Sequence, residues 1–258
     1  MSESPALEPD APAASGSGVS PSAPPADAPE AASQAPHRPV VLVAHGSPDP
    51  RSPEAVRAIA LAAGAHVGFL EFNEPRPVEV LHSLADKGFA AAVALPLLLT
   101  DAYHSRTDLP EVAKRAQEDR PGFTVHVGRP VGDPSLAHAL VRGLPEDIDG
   151  LVVCAAGTRV DEGRAHVAAV AAEAGRLLGV PAGPGFASGP GPTAGATVAS
   201  LQAQGAQRIA AVCYFIAPGL LCDKAIESAR DAGAVHVGEP LGTAPELLDL
   251  IAKHAAAA

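Results

Sequence analysis

The chain has 258 residues, with 29 acidic against 18 basic side chains, a net charge of -11 and only 3% aromatic residues. That balance excludes the broad electrostatic attraction that nucleic acid or an anionic membrane surface requires, and the few aromatics disfavour a base-stacking platform. An anionic small molecule stays compatible if arginines are placed locally, and alanine, valine and leucine must build the core.

Up to about Pro36 the chain consists almost wholly of Ala, Pro, Ser, Gly, Asp and Glu. Such a mixture buries too little apolar surface to offset the entropy of ordering, and it predicts a disordered tail over residues 1–38. No segment has the basic region and hydrophobic core of a secretory signal, and no apolar run reaches the ~18–20 residues of a membrane helix. A cytoplasmic protein is therefore expected.

From Val40 onward, apolar runs of strand length alternate with segments of helical period. The strands are expected at 40–44, 66–72, 90–99, 124–127, 151–155, 182–187, 208–216 and 234–237. The intervening helices are expected at 53–65, 77–87, 108–118, 134–142, 162–178, 193–204, 220–232 and 244–254. Strands apolar on both faces and joined by helices imply βαβ crossovers, hence an α/β fold with mainly parallel sheets. The three cysteines, Cys154, Cys213 and Cys222, lie far apart in sequence without a C-x-x-C pair, so neither a disulfide framework nor a metal knuckle is indicated. Cys154 and Cys213 read as small apolar core residues.

An internal repeat divides the chain. His126-Val127-Gly128 returns as His236-Val237-Gly238, and Val43-Ala44-His45-Gly46-Ser47 returns as Cys154-Ala155-Ala156-Gly157-Thr158 at nearly the same offset. Two similar lobes follow, at 39–146 and 147–258, each with a mainly four-stranded sheet. The halves differ chemically: Ala156 stands in the place of His45, and Leu221 in the place of His104. His126 and His236, present in both halves, read as structural or surface residues. His45 and His104, kept in one half only, read as a functional pair.

In open α/β sheets, ligands collect beyond the carboxyl ends of the strands, where both histidines are expected. Glu71 falls inside the apolar segment 66–72, where a carboxylate is costly unless it is paired or ligating. Alone, each of these residues is better explained as a loop cap or an ion-pair member. Together, two imidazoles and a carboxylate suit a divalent ion such as Fe²⁺, Co²⁺, Ni²⁺ or Zn²⁺ and leave coordination positions open. Rival motifs fail: Ala44 replaces the arginine that an Arg-His-Gly phosphatase needs, Ser47 lacks the G-x-S-x-G elbow, and the glycines at 183–191 follow no nucleotide-binding spacing.

Three segments carry a resemblance: Ala44-His45-Gly46-Ser47 with Asp49-Pro50-Arg51, then Phe69-Leu70-Glu71-Phe72-Asn73-Glu74-Pro75, then the run from Leu95 through Thr100-Asp101-Ala102-Tyr103-His104-Ser105-Arg106 to Glu111. In this order and spacing the chain resembles the sirohydrochlorin chelatases, in their two-domain form with a degenerate second repeat. The resemblance implies two α/β lobes around a tetrapyrrole cleft, and insertion of Fe²⁺ or Co²⁺ into a siroheme or cobalamin precursor. It implies His45 and His104 as metal-binding histidines and Glu71 as the acidic site residue, all three at the catalytic centre. The partners are then sirohydrochlorin and the divalent metal as substrate, with no organic cofactor and with nickel as a further candidate. Because sirohydrochlorin carries carboxylates, Arg51 and Arg106 are expected to bind them, with Ser47 and Ser105 adding hydrogen bonds. A noncatalytic metal or tetrapyrrole carrier is the alternative. A repeat within one chain often replaces a homodimer, so a monomer is expected.

Overall fold

The computed structural model describes residues 38–100 and 103–258; the tail expected over 1–38 falls, apart from Arg38, outside the described residues. Two all-parallel four-stranded sheets form the frame. The first contains β1 (Val40–Ala44), β2 (His66–Phe69), β3 (Ala91–Pro96) and β4 (Thr124–Val127), in the order β2-β1-β3-β4. The second contains β5 (Gly150–Ala155), β6 (Ala182–Phe186), β7 (Ile209–Cys213) and β8 (His236–Val237), in the matching order β6-β5-β7-β8. The first lobe carries helices α1 (Arg51–Ala62), α2 (Pro77–Asp86), α3 (Tyr103–Asp119) and α4 (Ala137–Val141), the last preceded by a 3₁₀ turn at Pro134–Leu136. The second carries α5 (Asp161–Leu178), α6 (Ala194–Ala203), α7 (Leu220–Asp231) and α8 (Pro245–Ala256). The α/β class and the repeated lobes are as the sequence implies. Among the described residues no helix is long and apolar enough to cross a membrane.

The unbroken apolar runs at the lobe centres follow from burial on both faces. Leu42 and Ala44 point into an inner cluster, while Val41 and Val43 point to an outer one under α2 and α3. In β5, Leu151, Val153 and Ala155 point inward, whereas Val152 and Cys154 face α6 and α7. The inner cluster is shared: it joins the inner faces of both sheets with α1, α4, α5 and α8. Within this layer the lobes exchange helices, since α4 packs against β7 and α5, and α8 packs against β3. Cys154 and Cys213 are buried thiols, as expected, and Cys222 joins them; burial pushes the Cys154 thiol up to about 12.

Several expected strands are too long: 90–99 and 208–216 shorten to Ala91–Pro96 and Ile209–Cys213, and 66–72 to His66–Phe69. Of the run 66–72 only His66–Phe69 is strand, and Glu71 beyond it is exposed rather than embedded in an apolar segment. The reason is a backbone turn: the Phe69 N–H donates to the Pro75 carbonyl at 2.9 Å and the Asn73 N–H to the Glu71 carbonyl at 2.7 Å. Phe72, at φ 61°, carries the chain around.

Polar groups also join the lobes. The Tyr214 hydroxyl lies 2.7 Å from His166 Nε2 and 3.4 Å from the Leu99 carbonyl. Beside them a cavity of about 320 Å³ is lined by Arg129, Asp133 and His166, and by His254 from α8. His254 is 3% exposed, and among the described residues neither ring nitrogen reaches a partner within full hydrogen-bond geometry, although the Arg129 and Pro130 backbone lies close by. Burial lowers the pKa of both imidazoles; for His254 the Arg129 charge adds to the effect while the Arg129 and Pro130 backbone opposes it, and Asp133 opposes it for each.

Truncating Leu247→Ala removes a fully buried anchor of α8 from the shared cluster. It is expected to cost about 2–5 kcal/mol, with both sheets still unfolding in a single urea transition followed by circular dichroism. The lowered histidine pKa values give a second expectation. The folded state favours neutral imidazoles, so their contribution is fully present above the unfolded value of about 6.5 and is lost as pH falls below it. The urea midpoint should therefore drop between pH ~7.5 and ~5.5, and His254→Leu should flatten that dependence.

Candidate functional site

The end of β1 is set by backbone contacts. Parallel pairing runs on past the strand, with the Leu70 N–H donating to the Ala44 carbonyl at 2.9 Å and the Glu71 N–H to the His45 carbonyl at 2.8 Å. Gly46 follows at φ 93°, and a Cβ there would lie 2.0 Å from the Glu71 carbonyl oxygen. The second lobe repeats the arrangement. Ser188 donates its N–H to the Ala156 carbonyl at 3.1 Å, and a Cβ on Gly157, at φ 96°, would lie 1.9 Å from the Ser188 carbonyl oxygen. Both lobes thus need the glycine for steric reasons. Neither backbone dictates the residue before it, which is His45 in one lobe and Ala156 in the other.

His45 is exposed, and its ring centroid lies 6.2 Å from that of Phe72, tilted by 37°. Its loop is folded by its own polar groups: Asn73 Oδ1 accepts the Ser47 N–H at 2.8 Å, and Ser47 Oγ accepts the Asp49 N–H at 3.1 Å. Ser47 thereby shapes the loop that presents the imidazole. Glu71 reaches the same place through backbone pairing, with its side chain in solvent. The side chains of His104, Ser105 and Arg106 lie outside the described residues; the backbone puts these positions in the first turn of α3, after β3. Among the described residues no three His, Cys, Asp or Glu side chains are grouped closely enough to hold a metal ion.

Arg51 opens α1 and is already engaged. Its Nη2 lies 2.6 Å from Asp49 Oδ2 and 2.5 Å from Asp223 Oδ2, the latter on α7 of the other lobe. The Arg51 Nη1 donates to Asp223 Oδ1 at 3.4 Å, so the contact is two-pronged. The side chain of Asp49 is 8% exposed and that of Asp223 38%, which makes Asp223 the more accessible partner. The paired carboxylates raise the guanidinium pKa further, while the Arg51 hydrogen bond lowers that of Asp49. Sequence reading singled out Arg51 and missed Asp223, whose pairing spans 172 positions without any local signal.

The carboxyl ends of β3, β5 and β7 meet at a second cavity, of about 220 Å³, between the lobes. Its walls are mostly apolar, from Leu97 and Leu99 on one side to Tyr214, Phe215 and Ile216 on the other. Ala156 lines it, so where the first lobe offers an imidazole the second leaves space. At the start of α7, Leu220 and Leu221 are 69% and 45% exposed, and on the first lobe Phe72 is 61% exposed. Apolar side chains left in water on strand-end loops are candidates for ligand contact.

Comparison with known proteins bears on the fold and the family. Over 100 residues the chain is 27% identical to the sirohydrochlorin ferrochelatase of Bacillus subtilis, matching 36% of this chain and 38% of that protein, so little more than a third of that relative's length is spanned. It is 30% identical over 119 residues to the sirohydrochlorin cobaltochelatase of Saccharolobus islandicus, matching 42% of this chain and 93% of that one. In fold it is similar to SirB from Bacillus subtilis with Fe³⁺, with a TM-score of 0.73 at 20% identity over 84% of this chain and 93% of that one. The CbiX family model matches twice, over residues 39–146 and 150–258. Two matches that together cover most of the chain, on two sheets of the same strand order, mean that the protein belongs to the CbiX family.

Proposed function

We propose that the protein is a sirohydrochlorin chelatase that inserts Fe²⁺ or Co²⁺ into the tetrapyrrole between its lobes. The observation that carries this reading is the unequal repeat: two strand ends of the same backbone geometry, one presenting His45 and the other opening a cavity at Ala156. Relatives named as ferrochelatase and cobaltochelatase support the reaction class.

Insertion exchanges two pyrrole N–H protons for one M²⁺ ion. An imidazole can hold such an ion or accept a proton near neutral pH, and a carboxylate supplies charge and a further proton acceptor. In this reading His45, with His104 from the start of α3, presents the metal to one face of the ring. Glu71, exposed beside the His45 backbone, passes protons to solvent. The apolar wall at Tyr214, Phe215 and Ile216 receives the macrocycle, and the second lobe supplies shape in place of ligands.

Arg51, together with Arg106 and the hydroxyls of Ser47 and Ser105, meets the substrate's carboxylates. A carboxylate on the tetrapyrrole has the same chemistry as Asp223, and exposed ion pairs exchange partners readily. Binding then replaces Asp223 on the guanidinium while Asp49 stays in place.

Anaerobic absorbance assays with sirohydrochlorin and Fe²⁺, Co²⁺ or Ni²⁺ test the reaction and rank the metals. The wild-type rate should exceed the metal-only rate, and His45→Ala should lower it by about 100-fold or more. A wild-type rate equal to the metal-only rate would leave a carrier. Asp223→Asn should tighten binding of metal-free sirohydrochlorin roughly two- to fivefold, and the gain should vanish in an Arg51→Gln background. Equal tightening without Arg51 would refute the exchange.

A further inference from the structure

Phe72 sits where its backbone calls for another residue. At φ 61° it is the one non-glycine in the left-handed region among the described residues, a conformation that bulky side chains rarely adopt. The repeat supplies the comparison. The Phe69 N–H donates to the Pro75 carbonyl and the Phe186 N–H to the Pro192 carbonyl, each at 2.9 Å, and Glu71 and Ser188 make the same close approach to their lobe's glycine. Counting along these matched turns, the counterpart of Phe72 is Gly189, at φ 76°. One lobe meets the backbone demand with glycine, and the other places a benzyl group there against the steric preference.

Packing does not account for that choice, because Phe72 is 61% exposed and belongs to none of the three buried apolar clusters. Its ring neighbour is His45, at 6.2 Å between centroids. Strained, solvent-exposed side chains of this kind are kept where a ligand is contacted. We infer that Phe72 is a substrate-contact residue, an aromatic face that packs against the tetrapyrrole plane beside the metal-bearing imidazole. This rests on the chelatase reading and adds a residue to it. A planar conjugated macrocycle offers a large polarisable face, and offset stacking on a phenyl ring combines apolar burial with quadrupole complementarity. The left-handed turn sets the direction of the Cα–Cβ bond, and the ring lies beside the His45 imidazole. Its strain is the cost of aiming an aromatic side chain out of a turn shaped for glycine.

The test sets stability against binding. Phe72→Gly suits the turn and removes the ring, and Phe72→Asn does the same with a residue that tolerates left-handed backbone. Each should leave the thermal midpoint unchanged or higher while weakening binding of metal-free sirohydrochlorin roughly tenfold, and Phe72→Tyr should bind like wild type. Wild-type affinity in both ring-deleted variants would overturn the proposal, as would a thermal midpoint that falls together with binding, which would make the ring structural. If the wild-type protein itself shows no saturable binding of sirohydrochlorin, the chelatase reading falls; binding by wild type with no loss in the variants sinks only the role of Phe72.

Discussion

The contact between the Gly46 α-carbon and the Glu71 carbonyl leaves no room for a side chain at position 46, and it locks the exit of β1 to the exit of β2. Everything proposed about the site depends on that lock. It fixes the direction in which position 45 projects while leaving its identity open, and it carries the chain directly into the turn bearing Glu71 and Phe72. The matching contact between Gly157 and Ser188 preserves the frame in the second lobe, where alanine fills the equivalent of position 45. Backbone sterics therefore account for what the two lobes share, and the proposed ligand chemistry for what they do not. The first lobe carries an imidazole and a left-handed aromatic at the positions where the second carries an alanine and a glycine.

The layered core explains how two strand ends from different sheets come to border the same space. Each central strand is buried on both faces, and the inner faces share an apolar layer with α1, α4, α5 and α8. Such a layer sets the spacing of the sheets through side-chain volume, because close-packed interiors yield little to compression. The polar contacts in this layer are few and specific. Tyr214 and His166 satisfy each other across the second lobe, and the tyrosine hydroxyl also reaches the Leu99 carbonyl of the first.

Much of the frame was legible in the sequence because it rests on local periodicity. Apolar runs such as VVLVA and GLVVCA read directly as central parallel strands, and the returning His-Val-Gly motif exposed the duplication. His45 and Arg51 were legible through the unequal repeat and through their place after a strand. Glu71 was singled out for a mistaken reason: its apolar neighbours suggested burial, whereas β2 ends two residues earlier and leaves the carboxylate in water. Phe72 was passed over because an aromatic in an apolar run looks like core, and only the backbone angle separates it from one. Asp223, His166, His254 and the exchange of α4 and α8 involve partners far apart in the chain, so no window of sequence carries their signal.

The exchanged helices bear on how a large ligand gets in. Swinging the lobes apart about the connecting segment after α4 would peel α8 from β3 and α4 from β7, exposing apolar surface on both sheets at once. The crossed helices act as braces against such a hinge. Access to the space between the lobes is left to the strand-end loops, and to the outward-facing ion pair of Arg51 with Asp223, which can part without disturbing either sheet.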